Sequence, residues 1–204
     1  MSEDRPVSAE RRSGWFARGY ERRGRKNEAT QRTRDVRTRV AGGASGRVLE
    51  IGAGTGFNFP YYPEDAEVVA IEPDPEMRRL AKPRASEHRV DLRAAPGERL
   101  PFPDASFDTV VSTGVFCSVD DARAAAREVH RVLRPGGELR FSEHVRGRSA
   151  ARRLMQRALD PLHYRAFRCH IGRDTLRLFR DAGFELVELE HPRHADVLGV
   201  ARKR

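Results

Sequence analysis

The chain has 204 residues, enough for one domain with a sizeable core and too few for two independent ones. Its net charge is +9, carried almost wholly by Arg, since Lys occurs only at Lys26, Lys82 and Lys203; nucleic acid or an acidic membrane surface is therefore weighed as a partner against a plain Arg-rich solvated surface. The two cysteines, Cys117 and Cys169, exclude a disulfide scaffold and lack metal-ligand spacing, no apolar run reaches the ~20 residues of a membrane span, and the charged N-terminus has no secretion core, so a cytoplasmic protein is expected.

Residues 1–45 are polar and basic, with Arg11, Arg12, Arg18, Arg22, Arg23, Arg25 and Lys26 clustered around Trp15, Phe16 and Tyr20. A helix is expected from about residue 8, broken near Gly24, and a second over about 27–40. Aromatics so closely spaced do not all face water. The segment is expected to cap a site with an aromatic turned inward, or to pack on a sheet edge. The chain thus divides into a basic N-terminal cap or tail, 1–45, and a main domain, 46–204.

Residues 48–51 read as the end of a buried strand, followed at once by Gly52-Ala53-Gly54-Thr55-Gly56. Such a loop takes positive φ and lets a ligand approach the backbone. It feeds a short helical segment, so free N–H groups are expected to face the ligand. The dinucleotide fingerprint G-x-G-x-x-G is not met, because Phe57 stands where its third Gly would fall. Glu50, in the strand end, would repel a pyrophosphate and suit a cationic ligand. Glu72 ends the next apolar run about twenty residues on, where a ribose-binding acid is expected. A nucleoside with ribose hydroxyls, no phosphate and a positive charge describes S-adenosylmethionine.

Further along, Asp74-Pro75 starts a helix that Pro83 is expected to stop. Strands are read at 90–94, 109–112 and 138–142. A helix with an apolar stripe fills 121–133 and ends in Leu133-Arg134-Pro135-Gly136-Gly137. A basic helix follows over about 150–159, and another runs from Asp174 to Gly183. Two closing strands, 184–189 and 197–201, leave no room for a crossover helix and should pair antiparallel. Strands alternate with helices, so the fold class is α/β: a Rossmann-like, mostly parallel sheet with helices on both faces and the last two strands antiparallel. Ligands bind such sheets outside the strands' carboxyl ends, where Glu50, Glu72, Ser112 and Glu143 sit.

The loop 48–56, the Leu100-Pro101-Phe102 to Phe107-Asp108 stretch and the 133–137 run together resemble the class I S-adenosylmethionine-dependent methyltransferases that include the ubiquinone-biosynthesis enzymes. Phe116-Cys117-Ser118-Val119, Glu143-His144-Val145, and Cys169-His170 with Arg173-Asp174-Thr175 are similar to a bacterial branch related to the membrane-anchored alkyl-thiol methyltransferases. The resemblance implies S-adenosyl-L-methionine as cofactor. It implies cofactor contacts at Glu50, Gly52, Ala53, Gly54, Gly56, Asn58, Glu72, Pro73, Gly97, Glu98, Thr113 and Gly114. Pro96 stands where an adenine-binding acid is common, which leaves adenine to the backbone N–H of Gly97.

Methyl transfer from a sulfonium is an in-line displacement that needs alignment and a deprotonated acceptor. Glu143 and His144 are the catalytic candidates; His144 serves either as base or as a residue ordering the rim. Trp15, Tyr20, His163 and His170 are candidate acceptor contacts. The spacing of His163, Cys169 and His170 fits no common zinc pattern, and Cys117 reads as a small buried apolar residue, so no metal is assigned. The expected function is transfer of a methyl group to a small, apolar acceptor: a thiol, a phenol or quinone, or a lipid amine. The competing reading is an RNA-binding or RNA-methylating protein that uses its arginines. Peripheral membrane contact stays open.

Overall fold

The computed structural model describes residues 14–147, 149–167, 169–193 and 196–204. The start of the first helix, expected from residue 8, lies outside them. The elements in order are α1 (Gly14–Glu28), α2 (Gln31–Val40), β1 (Arg47–Ile51), a 3-10 turn (Phe59–Tyr61), β2 (Glu67–Ile71), α3 (Pro75–Glu87), β3 (Asp91–Arg93), β4 (Phe107–Thr113), α4 (Ala122–Val132), β5 (Leu133–His144), α5 (Ala150–Phe167), α6 (Thr175–Asp181), β6 (Phe184–Arg193) and β7 (Asp196–Lys203).

The strands form one sheet in the order β3-β2-β1-β4-β5-β7-β6. β1 to β5 are parallel, and β7 lies antiparallel between β5 and β6, as the short final connection requires. Period-two alternation divides the core between the two faces. Leu49, Ile51, Val110 and Leu139 pack with Ala125, Val129 and Val132 of α4 and Phe179 of α6. Val48, Val68, Ala70 and Val111 pack on the opposite side with Val40 of α2 and Ala81 and Ala85 of α3. The order reverses at β1 and β4, both of whose carboxyl ends open onto one crevice. No helix of the described residues is long and apolar enough to cross a membrane.

Several local expectations differ from the structure. α1 runs unbroken through Gly24. A Cβ there would lie 2.0 Å from Cε2 of Phe57, so the glycine is a contact point for a ring rather than a hinge. The break comes at Thr30, whose hydroxyl caps α2 by accepting from Thr33 N–H. α3 passes Pro83 because Ala81 and Ala85 are both buried; burial outweighs the lost backbone bond. α5 likewise passes Pro161 and extends to Phe167. The Arg134–Gly137 run is an excursion within β5, exposed at Arg134, Pro135 and Gly136 and buried again at Gly137, since Phe107 pairs with Leu133 but Thr109 already pairs with Glu138. The glycine loop is followed by a single 3-10 turn, and three of its N–H groups are engaged within the protein. Ala53 N–H bonds Ile71 O, Gly56 N–H bonds Ala53 O, and Gly54 N–H goes to Glu72.

Phe57 is held between Arg84 and Arg37, whose guanidinium carbons lie 4.3 and 5.5 Å from the ring centre. Gly24→Ala is therefore expected to push α1 off this platform. The expected stability loss is about 1–3 kcal/mol, as for overpacking generally. Trp15 is the chain's single tryptophan, and a change in its emission would report the displacement. An unaltered melting temperature and emission would show that Phe57 yields freely.

Candidate active site

A cavity of about 780 Å³ opens at the carboxyl ends of β1, β2, β4 and β5. Gly52, Gly54, Glu72, Pro73, Asp74 and Met77 line one end, and Pro96, Gly97 and Glu98 continue that wall. Thr113, Gly114, Val115 and Cys117 form the floor toward His144. α1 roofs it with Trp15, Phe16, Gly19, Tyr20 and Arg23, and the end of α5 and the segment after it close it with His163, Cys169 and Ile171. The roof is tied down at Glu21, 8% exposed, which pairs with Arg84 at 2.8 Å.

The backbone explains why small residues stand here. Gly54 has φ +57, and a Cβ on it would point under Tyr20, 3.4 Å from Cε1. Gly114 has φ +67, and a Cβ there would meet nothing within 4 Å, so the space before it is open. Gly56 serves packing instead: its Cβ would lie 2.5 Å from the Phe59 ring. Gly52 packs against Val115.

Glu72 defines the charge of this end. Its Oε2 accepts from Gly54 N–H and its Oε1 from Asp74 N–H, each at 2.9 Å. Asp74 in turn caps α3 through Glu76 and Met77 N–H. The loop's N–H is thus met by a carboxylate of the protein itself. A phosphate would be repelled there; a hydroxyl or a cation would not.

Glu50 and Asn58 stand behind this wall. Glu50 is 3% exposed and accepts from Asn58 Nδ2 and Tyr62 OH, each at 2.8 Å. Asn58 also reaches Thr113 Oγ1 at 3.1 Å and accepts from Arg37. Burial pushes the Glu50 carboxyl up to about 7, although its donors pull the other way. The folded state therefore holds the proton more tightly than the unfolded chain. The Glu50 contribution to stability is full below about pH 4.5 and is lost as pH rises through about 7, by up to ~3 kcal/mol. Glu50→Gln is expected to flatten the pH dependence across that window and to melt higher than the parent at neutral pH. Parallel stability curves for the two proteins would contradict this.

Glu143 also faces away from the cavity. It is 2% exposed, accepts from Ser112 Oγ at 2.6 Å and Val115 N–H at 2.9 Å through Oε1, and from Phe116 N–H at 3.2 Å through Oε2. Burial raises its pKa. It shapes the loop after β4. His144 does line the cavity. Its Nδ1 lies 3.7 Å from Cys117 Sγ and 4.0 Å from Cys169 Sγ, and its Nε2 is 3.6 Å from Asp196. The adjoining Cys117 thiol pushes the imidazole up to about 9. His163 reaches the cavity while its Nδ1 bonds Cys169 O at 2.8 Å. His170 does not: it bonds Asp160 at 2.7 Å and stacks on Tyr164.

Sequence reading missed Met77, Val115, Ser118, Val119 and Ile171 as cavity residues, because apolar periodicity marks burial without telling core from pocket. It also missed the meeting of Cys117, His144 and Cys169, which come from three separate elements.

A Rossmann-like sheet with a glycine loop and a β2 acid at its switch point defines a nucleoside-binding α/β enzyme. Comparison with known proteins makes this specific. Residues 49–141 match the family described as methyltransferase domain. Thiol S-methyltransferase TMT1B of Rattus norvegicus is 36% identical over 184 residues, covering 85% of this chain and 73% of that protein. The Homo sapiens TMT1B is 36% identical over 175 residues, covering 81% and 72%. A SAM-dependent methyltransferase from Thermotoga maritima shares the fold with a TM-score of 0.67 at 24% identity, over 93% of this chain and 98% of that one. The chain belongs to the class I S-adenosylmethionine-dependent methyltransferases. It transfers a methyl group from that donor to a small acceptor.

Proposed function

We propose that the acceptor is a small, largely apolar thiol. The observation that carries this is the similarity to thiol S-methyltransferases along most of the chain. The cavity is consistent with it. Its lining includes Val115, Val119 and Ile171 and, from the α1 roof, Trp15 and Phe16, which suits an apolar body. Glu143 is turned inward, and a thiol needs less help from a base than a hydroxyl does.

The residues fit the donor. The positive-φ glycines Gly54 and Gly114 leave the space that a Cβ would take, and Glu72 offers a carboxylate at that space. In this reading Glu72 holds the ribose hydroxyls, Gly97 N–H serves the adenine, and Thr113 and Gly114 flank the reacting end. When bound, S-adenosylmethionine supplies a methyl group on a good leaving group. α1 (the inner part of the 1–45 cap) and the end of α5 then close over the acceptor and exclude water.

Phenols, quinones and lipid amines are the other acceptors considered, and RNA is the competing partner. Many of the arginines are already engaged: Arg37 with Glu28, Arg84 with Glu21, Arg131 with Glu128 and Asp104, and Arg140 and Arg202 with Glu138. This lowers the charge left to grip phosphates. If the acceptor partitions into an acidic membrane, the exposed Leu154, Met155, Leu159 and Leu162 of α5 are the face that would meet it. Such contact is compatible with a cytoplasmic enzyme.

The test is a methyl-transfer screen over alkyl thiols, phenols, amines and lipids at several salt concentrations. Alkyl thiols should react fastest with a nearly flat salt response. Faster turnover of a phenol or amine than of any thiol would reject the acceptor. Tight RNA binding that falls steeply with salt would favour the competing partner.

A further inference from the structure

Cys117, His144 and Cys169 bring their ligand atoms to within 4.8 Å of one another at the cavity wall. We propose that these three residues form a zinc(II) site whose open fourth position faces the cavity and takes the acceptor thiol as thiolate. The metal site stands on the geometry alone; its use in binding the acceptor rests on the thiol reading above.

Zinc–sulfur and zinc–nitrogen bonds of about 2.3 and 2.0 Å at tetrahedral angles set neighbouring ligand atoms roughly 3.5–3.8 Å apart. His144 Nδ1 lies 3.7 Å from one sulfur and 4.0 Å from the other. Modest side-chain rotation closes the rest. A disulfide would need the two sulfurs alone and gives no reason for an imidazole nitrogen against both. The outer groups also fit. His144 Nε2 faces Asp196 at 3.6 Å, the carboxylate–histidine arrangement that fixes a metal-binding ring.

The scaffold holds the three elements in register. His170 N–H bonds Cys117 O at 2.7 Å, which ties the Cys169 segment to the Cys117 loop. Thr175, fully buried, bonds His144 O at 3.1 Å. Gln156, 4% exposed, bonds Ile171 O at 2.6 Å and Gly147 N–H at 2.7 Å, clamping the exits of α5 and β5 together. Arg173 donates to Phe116 O and Val119 O. Such support is what a preorganised site requires. Three protein ligands with a vacant position on a cavity are the pattern of a catalytic zinc, whereas structural sites are closed by four.

Chemically, the acceptor S–H bond breaks on binding, its proton leaves to solvent, and the sulfur takes the fourth position. That sulfur then supplies the electron pair for the new S–CH3 bond. The donor's S–CH3 bond breaks, its electron pair stays on the donor sulfur as a thioether, and the methylated product, a weaker ligand than thiolate, departs.

The experiment is metal analysis of the full chain purified without chelator, followed by cobalt(II) substitution. About one zinc per chain and a sulfur-to-cobalt charge-transfer band are expected, with the band shifting when an alkyl thiol is added without donor. Cys169→Ala and His144→Asn should each lose the metal. Because Cys117 and its neighbours are packed, circular dichroism and a melt must show both variants folded; Asp196→Asn, outside the ligand set, should bind metal roughly 10–100-fold more weakly. Metal-free protein that binds neither ion, or a Cys117–Cys169 disulfide in the freshly purified chain, would overturn the site. A cobalt band unmoved by thiols that the enzyme nevertheless methylates would overturn the open position. A band that shifts with thiols that are never methylated would support the site and reject the thiol acceptor instead.

Discussion

Gly54→Val is expected to abolish donor binding while leaving the fold intact. The glycine holds φ +57, and a Cβ there enters the cavity between the loop and Tyr20, 3.4 Å from the ring edge. No backbone or core atom stands in the way, so the protein bears only the local left-handed strain, of order 1–2 kcal/mol. The ligand bears the rest, since valine's two methyl groups occupy the space where the nucleoside must lie. Isothermal titration with S-adenosylhomocysteine should show no heat, and a melt should show a folded protein. Unchanged affinity would remove the loop from the donor site. Gly56→Val would make a poor substitute, because its side chain meets Phe59 and tests packing.

Glu72→Ala has the next largest effect, a donor affinity lower by about ten- to a hundred-fold. Charge-assisted hydrogen bonds contribute roughly 1.5–3 kcal/mol, and each 1.4 kcal/mol is a factor of ten. The structure adds a second consequence. Glu72 also accepts from Gly54 and Asp74 N–H, so its loss orphans two backbone donors beside the cavity. A stability loss of about 1–3 kcal/mol should accompany the affinity loss. Two measurements separate them. A donor analogue lacking one ribose hydroxyl should bind the alanine variant almost as well as the full donor does. Glu72→Gln, which keeps an acceptor oxygen, should recover part of the melting temperature. If the alanine variant still discriminates strongly between the two donors, Glu72 is a loop-ordering residue and no ribose ligand.

The sequence by itself determined the class of sheet, the place of the crevice and the donor. The reason is that these depend on local chemistry. Alternating apolar runs with no room for a final crossover force a parallel sheet that ends in an antiparallel pair. Glycines at 52, 54 and 56 followed by an acid at 72 mark a strand–loop–strand unit whose residues meet at one strand end. Helix starts at Asp74, Asp121 and Asp174 were legible for the same reason: each cap is a bond to N–H groups two or three residues away. The helices run on past Gly24 and Pro83 because there a buried face overrides the residue's own preference; α5 also runs on past 159, with no buried face to account for it. Only the tertiary structure decided which carboxylates reach the cavity. Glu50, Glu72 and Glu143 all sit at strand ends, but side-chain direction and the neighbours that claim each oxygen turn Glu72 outward and the other two in. The same holds for Cys117, His144 and Cys169. Nothing in their spacing along the chain suggests a cluster, since it is made by the end of β5, the loop after β4 and the exit of α5, which meet only once the sheet has been assembled.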